Sequence, residues 1–236
     1  MIDSAAPVSV VVSCEHGGNR IPPAYQPLFQ GHEVLLVSHR GYDPGALLMA
    51  KAIARQFGAP LFAATTSRLL IDLNRSAGHP QLFSEITQDL PPAAKQQILA
   101  RYYRPYRERV ETAIADAIQQ GRRVFHLSSH SFTPQLHGEV RKADIGLLYD
   151  PSSEWEQSLC RRWQQSLKQE LPGLTIRRNY PYTGTADGFT AYLRHRYASG
   201  WYAGIELEVN QKYFLNDRAK WRSLRRMIVE TLSKIF

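Results

Sequence analysis

The sequence predicts a single α/β domain over residues 1–236, with a mixed, mostly parallel central sheet flanked by helices on both faces. Three observations carry that expectation. Strand-like and helix-like stretches alternate from one end of the chain to the other. The first strand-like stretch, PVSVVVSC at 7–14, is a short valine-rich apolar run, as a strand covered on both faces requires. No internal repeat, low-complexity linker or domain boundary interrupts the 236 residues, and a chain of that length can bury a substantial core.

The elements follow in order. DPGALLMAKAIARQFG (43–58) reads as a helix: Pro44 suits a first turn, Leu47, Ala50, Ala54 and Phe57 make an apolar side, and Gly58 fits the stop. APLFAAT (59–65) and SRLLIDL (67–73) read as strands. Residues 91–121 are helical with a break or kink at Pro105, which has no N–H to donate. RRVFHLSS (122–129) and ADIGLLYD (143–150) are strands, and SSEWEQSLCRRWQQSLKQEL (152–171) is a helix capped by Ser152 or Ser153. LTIRRNYP (174–181) is a short strand with its exit, GIELEVN (204–210) a strand, and residues 216–236 the last helix.

Composition narrows the class. Hydrophobic residues make up 43% and charged residues 21%, ordinary for a soluble globular protein. No apolar run approaches the roughly 20 residues of a membrane helix. MIDSAAPVSVVVS has no basic segment before its apolar run, so it reads as entry to the first strand rather than a signal peptide. Cys14 and Cys160 make neither a disulfide framework nor a zinc-finger spacing, and the expected compartment is the cytoplasm. The net charge of +8 raises nucleic acid as a partner. However, Arg101, Arg104, Arg107, Arg109, Arg161, Arg162, Arg222, Arg225 and Arg226 fall on helix-like surfaces, where such runs are usually solvated faces. A small anionic substrate is another outlet for positive potential. Neither nucleic acid nor a membrane is expected as a partner; a basic polyanion-binding protein is the remote alternative.

Sites in such folds form where strands end at their carboxyl edge, and the polar clusters of this chain gather there. SCEHGGNRIP ends a strand in Glu15-His16 and then turns on two glycines, making His16 a candidate metal ligand or base; the alternative is a histidine that caps a turn. Cys14 reads as a small buried residue. In SHRGYDPGA, Asp43 precedes a helix and could be its N-cap, a metal ligand, or both. SRLLIDLNR places Arg68, Asp72 and Asn74 on one strand face by period two, with Arg75 following; these can grip a carboxylate or form an ion pair such as Arg75 with Asp72 or Glu15. HLSSHSF puts His130 at a strand end. GIELEVN turns Glu206, Glu208 and Asn210 to one side and Ile205, Leu207 and Val209 to the other. Two carboxylates on a buried strand need partners or a metal, while on an edge strand they would simply face water. NYPYTGTADGFTAYLRH reads as a substrate-shaping loop leading into a short helix that carries Arg194 and His195. His32, His39, His79, His126, His137 and His195 read as structural or surface residues. Two histidines and a carboxylate with one open position form a common catalytic zinc set.

Six blocks in order, VVSCEHGGNRIP, SHRGYDPGA, SRLLIDLNR, HLSSHSF, NYPYTG and IELEVNQKYF, resemble the N-formylglutamate amidohydrolase family over nearly the whole chain. That resemblance implies a zinc-carboxypeptidase-like fold and a metal-dependent hydrolase of linear amides, with one Zn2+ or another divalent ion per chain. His16, Asp43 and His130 would bind the metal. Glu208 would be the general base, with Glu206 also fitting that role. Arg68, Asn74 and Arg75, helped by Arg194, would hold carboxylate groups of a small acidic substrate. The leading case is N-formyl-L-glutamate, cleaved to formate and L-glutamate in histidine breakdown. Another N-acyl amino acid, or a peptide or cell-wall amide, is the alternative. The chain departs from the family at Cys14-Glu15, where a Pro-His step is usual, and at the Asp43-Pro44-Gly45 step.

Overall fold

The protein's structure, a computed structural model, describes residues 6–236. The first five residues, expected to lead into the first strand, lie outside the described residues. In chain order the elements are β1 (Val8–Cys14), a 3-10 turn (Pro23–Phe29), α1 (Glu33–Val37), α2 (Ala46–Phe57), β2 (Leu61–Ala63), α3 (Pro92–Ile98) and α4 (Arg104–Gln119). They continue with β3 (Arg123–Phe132), β4 (Gln135–Leu136), β5 (Glu139–Val140), β6 (Ile145–Leu148), α5 (Glu154–Glu170), β7 (Ile176–Arg178) and α6 (Phe189–Arg196). Last come β8 (Tyr202–Asn210), α7 (Lys212–Asn216) and α8 (Arg218–Ser233).

The main sheet runs β2-β1-β3-β8-β6-β7. β2, β1, β3 and β8 are parallel to one another, and β6 and β7 run the other way, so the sheet is mixed and mostly parallel as expected. One face is covered by α2, α5 and α8, whose Met49, Ile53, Trp163, Leu167, Ile228 and Leu232 pack on Phe125, Leu127, Ile205 and Leu207. The other is covered by α4 and α6, whose Val110, Ile114, Phe189 and Leu193 pack on Val11 and Val124. Among the described residues no helix is long and apolar enough to cross a membrane.

Local chemistry sets most boundaries. Gly58 ends α2 in the left-handed region at φ 56°, where its missing Cβ avoids strain. The Ser153 Oγ accepts the Glu156 N–H and caps α5, and Asp217 caps α8 by accepting from Ala219 and Lys220. The expected break at Pro105 is a wide π turn at Leu99–Tyr103, after which Pro105 sits in the first turn of α4, where no N–H is needed.

Three expectations are corrected. SRLLIDL is not a strand. Its carbonyls are taken by side chains from a neighbouring segment, Leu69 O by Ser84 Oγ (2.5 Å) and Leu70 O by Thr87 Oγ1 (3.2 Å). Turn hydrogen bonds close on Ser67, so no ladder forms even though Leu69, Leu70 and Ile71 are buried. Arg68 and Asp72 therefore meet as an i,i+4 pair at 2.6 Å, not as period-two neighbours. Asp43 is not the cap of α2, which starts at Ala46 behind Gly45 with no side-chain cap. Finally, β3 continues to Phe132, placing His130 inside the strand rather than after it.

Candidate active site

Adjacent parallel strands carry the site. His16 follows β1, His130 lies near the end of β3, and Glu208 faces His130 in register on β8. The chain can turn at His16 only with glycine behind it. A Cβ on Gly17 would stand 2.8 Å from the Ala64 carbonyl oxygen, and one on Gly18 2.7 Å from that of Thr65. The loop before α2 docks on this turn through the Asp43 N–H, which donates to the His16 carbonyl at 2.9 Å. The Asp43 carboxylate is thereby aimed at both histidines. Its Oδ2 is 2.9 Å from His130 Nδ1 and 3.5 Å from His16 Nδ1, and accepts the Ser131 N–H.

The far side of each imidazole is held by a carboxylate. His16 Nε2 is 2.7 Å from Asp72 Oδ1; His130 Nε2 is 3.2 Å from Glu15 Oε2 and 2.9 Å from Ser128 Oγ. Glu15 in turn accepts from Ser128 Oγ (2.6 Å) and Tyr106 OH (2.9 Å). Histidines anchored this way present the other ring nitrogen, Nδ1, to whatever lies between them. Burial disfavours charge on His130, yet the hydrogen bonds and charges of Asp43 and Glu15 outweigh it and hold its pKa well above the ordinary imidazole value. Burial likewise opposes ionisation of Glu15, Asp43 and Asp72. Their cationic and hydrogen-bonding neighbours prevail and keep all three below the usual carboxylate range.

The residues fit a divalent metal. One ligand atom from each of His16, Asp43 and His130 can be chosen so that all lie within 4.8 Å of one another. His16 Nδ1 is buried without a hydrogen-bond partner. Such an orphan costs about 1–3 kcal/mol, and a cation among the three residues would satisfy it. Two imidazole nitrogens and one carboxylate oxygen, open on the cleft side, form a donor set suited to zinc.

Glu206 and Glu208 do not face solvent from an edge, because β8 lies between β3 and β6. Both line a small cleft of about 180 Å3 together with His16, Asp43, Arg68, Asn74, Arg75 and His130, below the 300–1,000 Å3 of drug-sized pockets. The two carboxylates differ in environment. Glu206 Oε1 accepts from Thr190 Oγ1 at 2.6 Å, whereas Glu208 Oε2 is buried with no partner. Burial, reinforced by the charges of Asp43 and Glu206 against those of His130 and Arg68, pushes the Glu208 pKa up to about 8. A carboxyl poised near neutrality suits proton transfer.

Three of the four expected substrate contacts reach the cleft. Arg68 is braced by Asp72 at 2.6 Å and stands 3.6 Å from Asp43 Oδ1. Asn74 Oδ1 accepts the Phe189 N–H at 2.8 Å, which turns its amide NH2 away from that contact. Arg75 donates to the Asp187 carbonyl at 3.0 Å. The fourth, Arg194, does not line the cleft. It is tied to Glu156 at 2.9 Å and donates to the carbonyls of Gly184 and Gly204, both at 2.6 Å, so its guanidinium is a structural brace. Sequence reasoning missed Glu15 and Asp72 as the carboxylates behind the two histidines. The only signal was that Glu15 precedes His16 directly and Asp72 lies two residues before Asn74. Tyr182 and Asp187 bring the expected substrate-shaping loop to the cleft, and Gln211 lines it without having been singled out.

Fold and site together define an α/β protein with a buried His-Asp-His cluster that fits a divalent cation and a buried carboxylate at the carboxyl edge of its sheet. The family model for N-formylglutamate amidohydrolase matches residues 8–215, and the chain belongs to that family. It is similar to gene product Atu2144 from Agrobacterium tumefaciens, at 30% identity and a TM-score of 0.83, covering 98% of this chain and 92% of that one. An N-formylglutamate amidohydrolase from Ralstonia eutropha JMP134 shares the fold at 21% identity and a TM-score of 0.69, covering 98% and 93%. Among curated proteins none matches.

Proposed function

We propose that the protein is a metal-dependent amidohydrolase of small N-acyl amino acids, with N-formyl-L-glutamate, cleaved to formate and L-glutamate, as the leading case. The observation that carries this reading is the buried His16-Asp43-His130 cluster opening beside the unpartnered Glu208 carboxylate. Zinc or another divalent ion held by His16, Asp43 and His130 would supply Lewis acidity, polarising the acyl carbonyl and making water more acidic.

The chain's own residues do the rest. Glu208 takes a proton from the attacking water and delivers it to the amide nitrogen as the C–N bond breaks, releasing the acid and the amine. Burial raises its pKa, which favours the proton-accepting half of that cycle. Arg75 and Asn74 hold the substrate carboxylate, the guanidinium by a planar fork and the amide by a directional donor. Arg68, braced by Asp72, adds positive potential beside the metal ligands. Asp72 and Glu15 keep the two imidazoles oriented.

Deacylation of another N-acyl amino acid uses the same machinery. A panel of N-formyl and longer N-acyl amino acids, assayed with added zinc and again with chelator, tests the reading. Turnover that the chelator abolishes supports it; no turnover across the panel with zinc bound refutes it. Cleavage of N-formyl-L-glutamate would place the protein in histidine breakdown in the cytoplasm.

A further inference from the structure

We propose that Glu206 selects the leaving amino acid, accepting a hydrogen bond from a cationic or amide side chain, so that N-acyl derivatives of arginine, lysine or glutamine are favoured over those of glutamate. This rests on the hydrolase reading above and, within its substrate class, moves the preferred substrate from N-formyl-L-glutamate to the other N-acyl amino acids named there.

Glu206 is 8% exposed and lies on the cleft-facing side of β8, two residues before Glu208, so roughly 6.6 Å deeper along the strand. Its Oε1 is fixed by the Thr190 hydroxyl. Among the described residues no other donor bonds to it and no cation pairs with it. Arg194 contributes some field, but all three of its guanidinium nitrogens are engaged by Glu156, Gly184 and Gly204. The Glu206 carboxylate is therefore left open on the cleft side, where a ligand's donor can complete its hydrogen bonding.

The surroundings are shaped for such a ligand group. Gly188 passes directly over the carboxylate. A Cβ there would be 3.2 Å from Glu206 Oε1 and 3.5 Å from Asn74 Oδ1, so glycine keeps Glu206 and the Asn74 amide on one shared floor. Charge in the cleft is asymmetric as well. Arg68 is already opposed by Asp72 and Asp43, whereas Arg75 donates to a backbone carbonyl and, among the described residues, pairs with no carboxylate. One substrate carboxylate is therefore matched by Arg75 and Asn74. A second carboxylate, as on a glutamyl side chain, would meet Glu206 with no basic side chain paired to that glutamate among the described residues. A guanidinium, ammonium or carboxamide in that place complements it.

The test compares kcat/KM of wild type and Glu206→Gln, both supplied with zinc, on the N-formyl derivatives of L-arginine, L-lysine, L-glutamine, L-leucine and L-glutamate. Calorimetric binding of free L-arginine and L-glutamate, which needs no turnover, accompanies it. Wild type is expected to favour the arginine and glutamine compounds over the glutamate one by about 10- to 100-fold, the usual range for a hydrogen bond to a charged group. Glu206→Gln should lose that preference, its kcat/KM on glutamate relative to leucine rising while that on arginine relative to leucine falls. A wild-type preference for glutamate over arginine, or a variant slowed equally on every substrate, overturns the proposal. If nothing in the panel is cleaved, the hydrolase reading falls on its own. Binding then decides the role of Glu206: arginine preferred by wild type but not by the variant upholds it, and equal binding overturns it.

Discussion

Replacing Arg194 by methionine separates a structural brace from a substrate contact. The guanidinium gives Nε to both oxygens of Glu156, at 2.9 and 3.1 Å, Nη1 to the Gly184 carbonyl and Nη2 to the Gly204 carbonyl. Glu156 is fully buried and also accepts the N–H groups of Asp150 and Gly204, both at 2.8 Å. The pair thus ties α5, α6, the start of β8 and the 184 turn together. Burial raises the Glu156 pKa even with Arg194 in place, so the carboxylate depends on its counter-charge. Removing one partner of such a pair costs about 3–5 kcal/mol. In a chain of this size, that is a fall in Tm of roughly 6–20 °C. Urea denaturation followed by circular dichroism measures the loss. The double variant Glu156→Gln with Arg194→Met should recover part of it, because no unpaired charge remains. Below its melting range, the single variant should keep the wild-type KM. Unchanged stability combined with a KM raised tenfold or more would place Arg194 at the substrate and refute the reasoning.

Three further outcomes are expected. His126, buried between Ser13 and Tyr202, has its pKa lowered to about 4, chiefly by burial. The unfolded chain therefore binds its proton first, and the stability His126 contributes is complete above about pH 6.5 and lost as pH falls towards 4. About 2 kcal/mol disappears between pH 7 and pH 5. Urea melts at both values should show a smaller pH effect in His126→Asn; an identical effect sinks the assignment. Glu208→Gln should lower the rate by about 10²–10⁴ while metal content is unchanged. Full activity there, with Glu206→Gln dead, would exchange the roles of the two glutamates. Glu15→Gln should weaken metal binding by about 10- to 100-fold in chelator competition without altering secondary structure, since it removes the charge that anchors His130; wild-type affinity would show that Glu15 does not orient the ligand.

Much of this was legible in the sequence because it is local. The in–out pattern of β8 follows from a two-residue period, and the helix–strand alternation from apolar spacing. What was not legible depends on partners far away in the chain. The Ser67–Leu73 segment looks like a strand until Ser84 and Thr87 take its carbonyls. Arg194 looks like a cleft residue until Glu156, 38 positions earlier, claims it. His126 and His130 share one face of β3 and differ only in depth along it. The deeper ring is closed in by Tyr202 and Ser13, while the other reaches the cleft. Spacing alone does not distinguish them, but the place of His130 towards the strand's end does, and that much the sequence carries.

The central claim is that His16, Asp43 and His130 hold a metal. Metal analysis by mass spectrometry on tag-free protein equilibrated with zinc, for wild type and His130→Ala side by side, tests it most directly. The account predicts about one zinc per wild-type chain, lost in a variant that keeps its circular dichroism spectrum. A wild-type chain that retains no zinc, or a His130→Ala variant that retains as much, would contradict it.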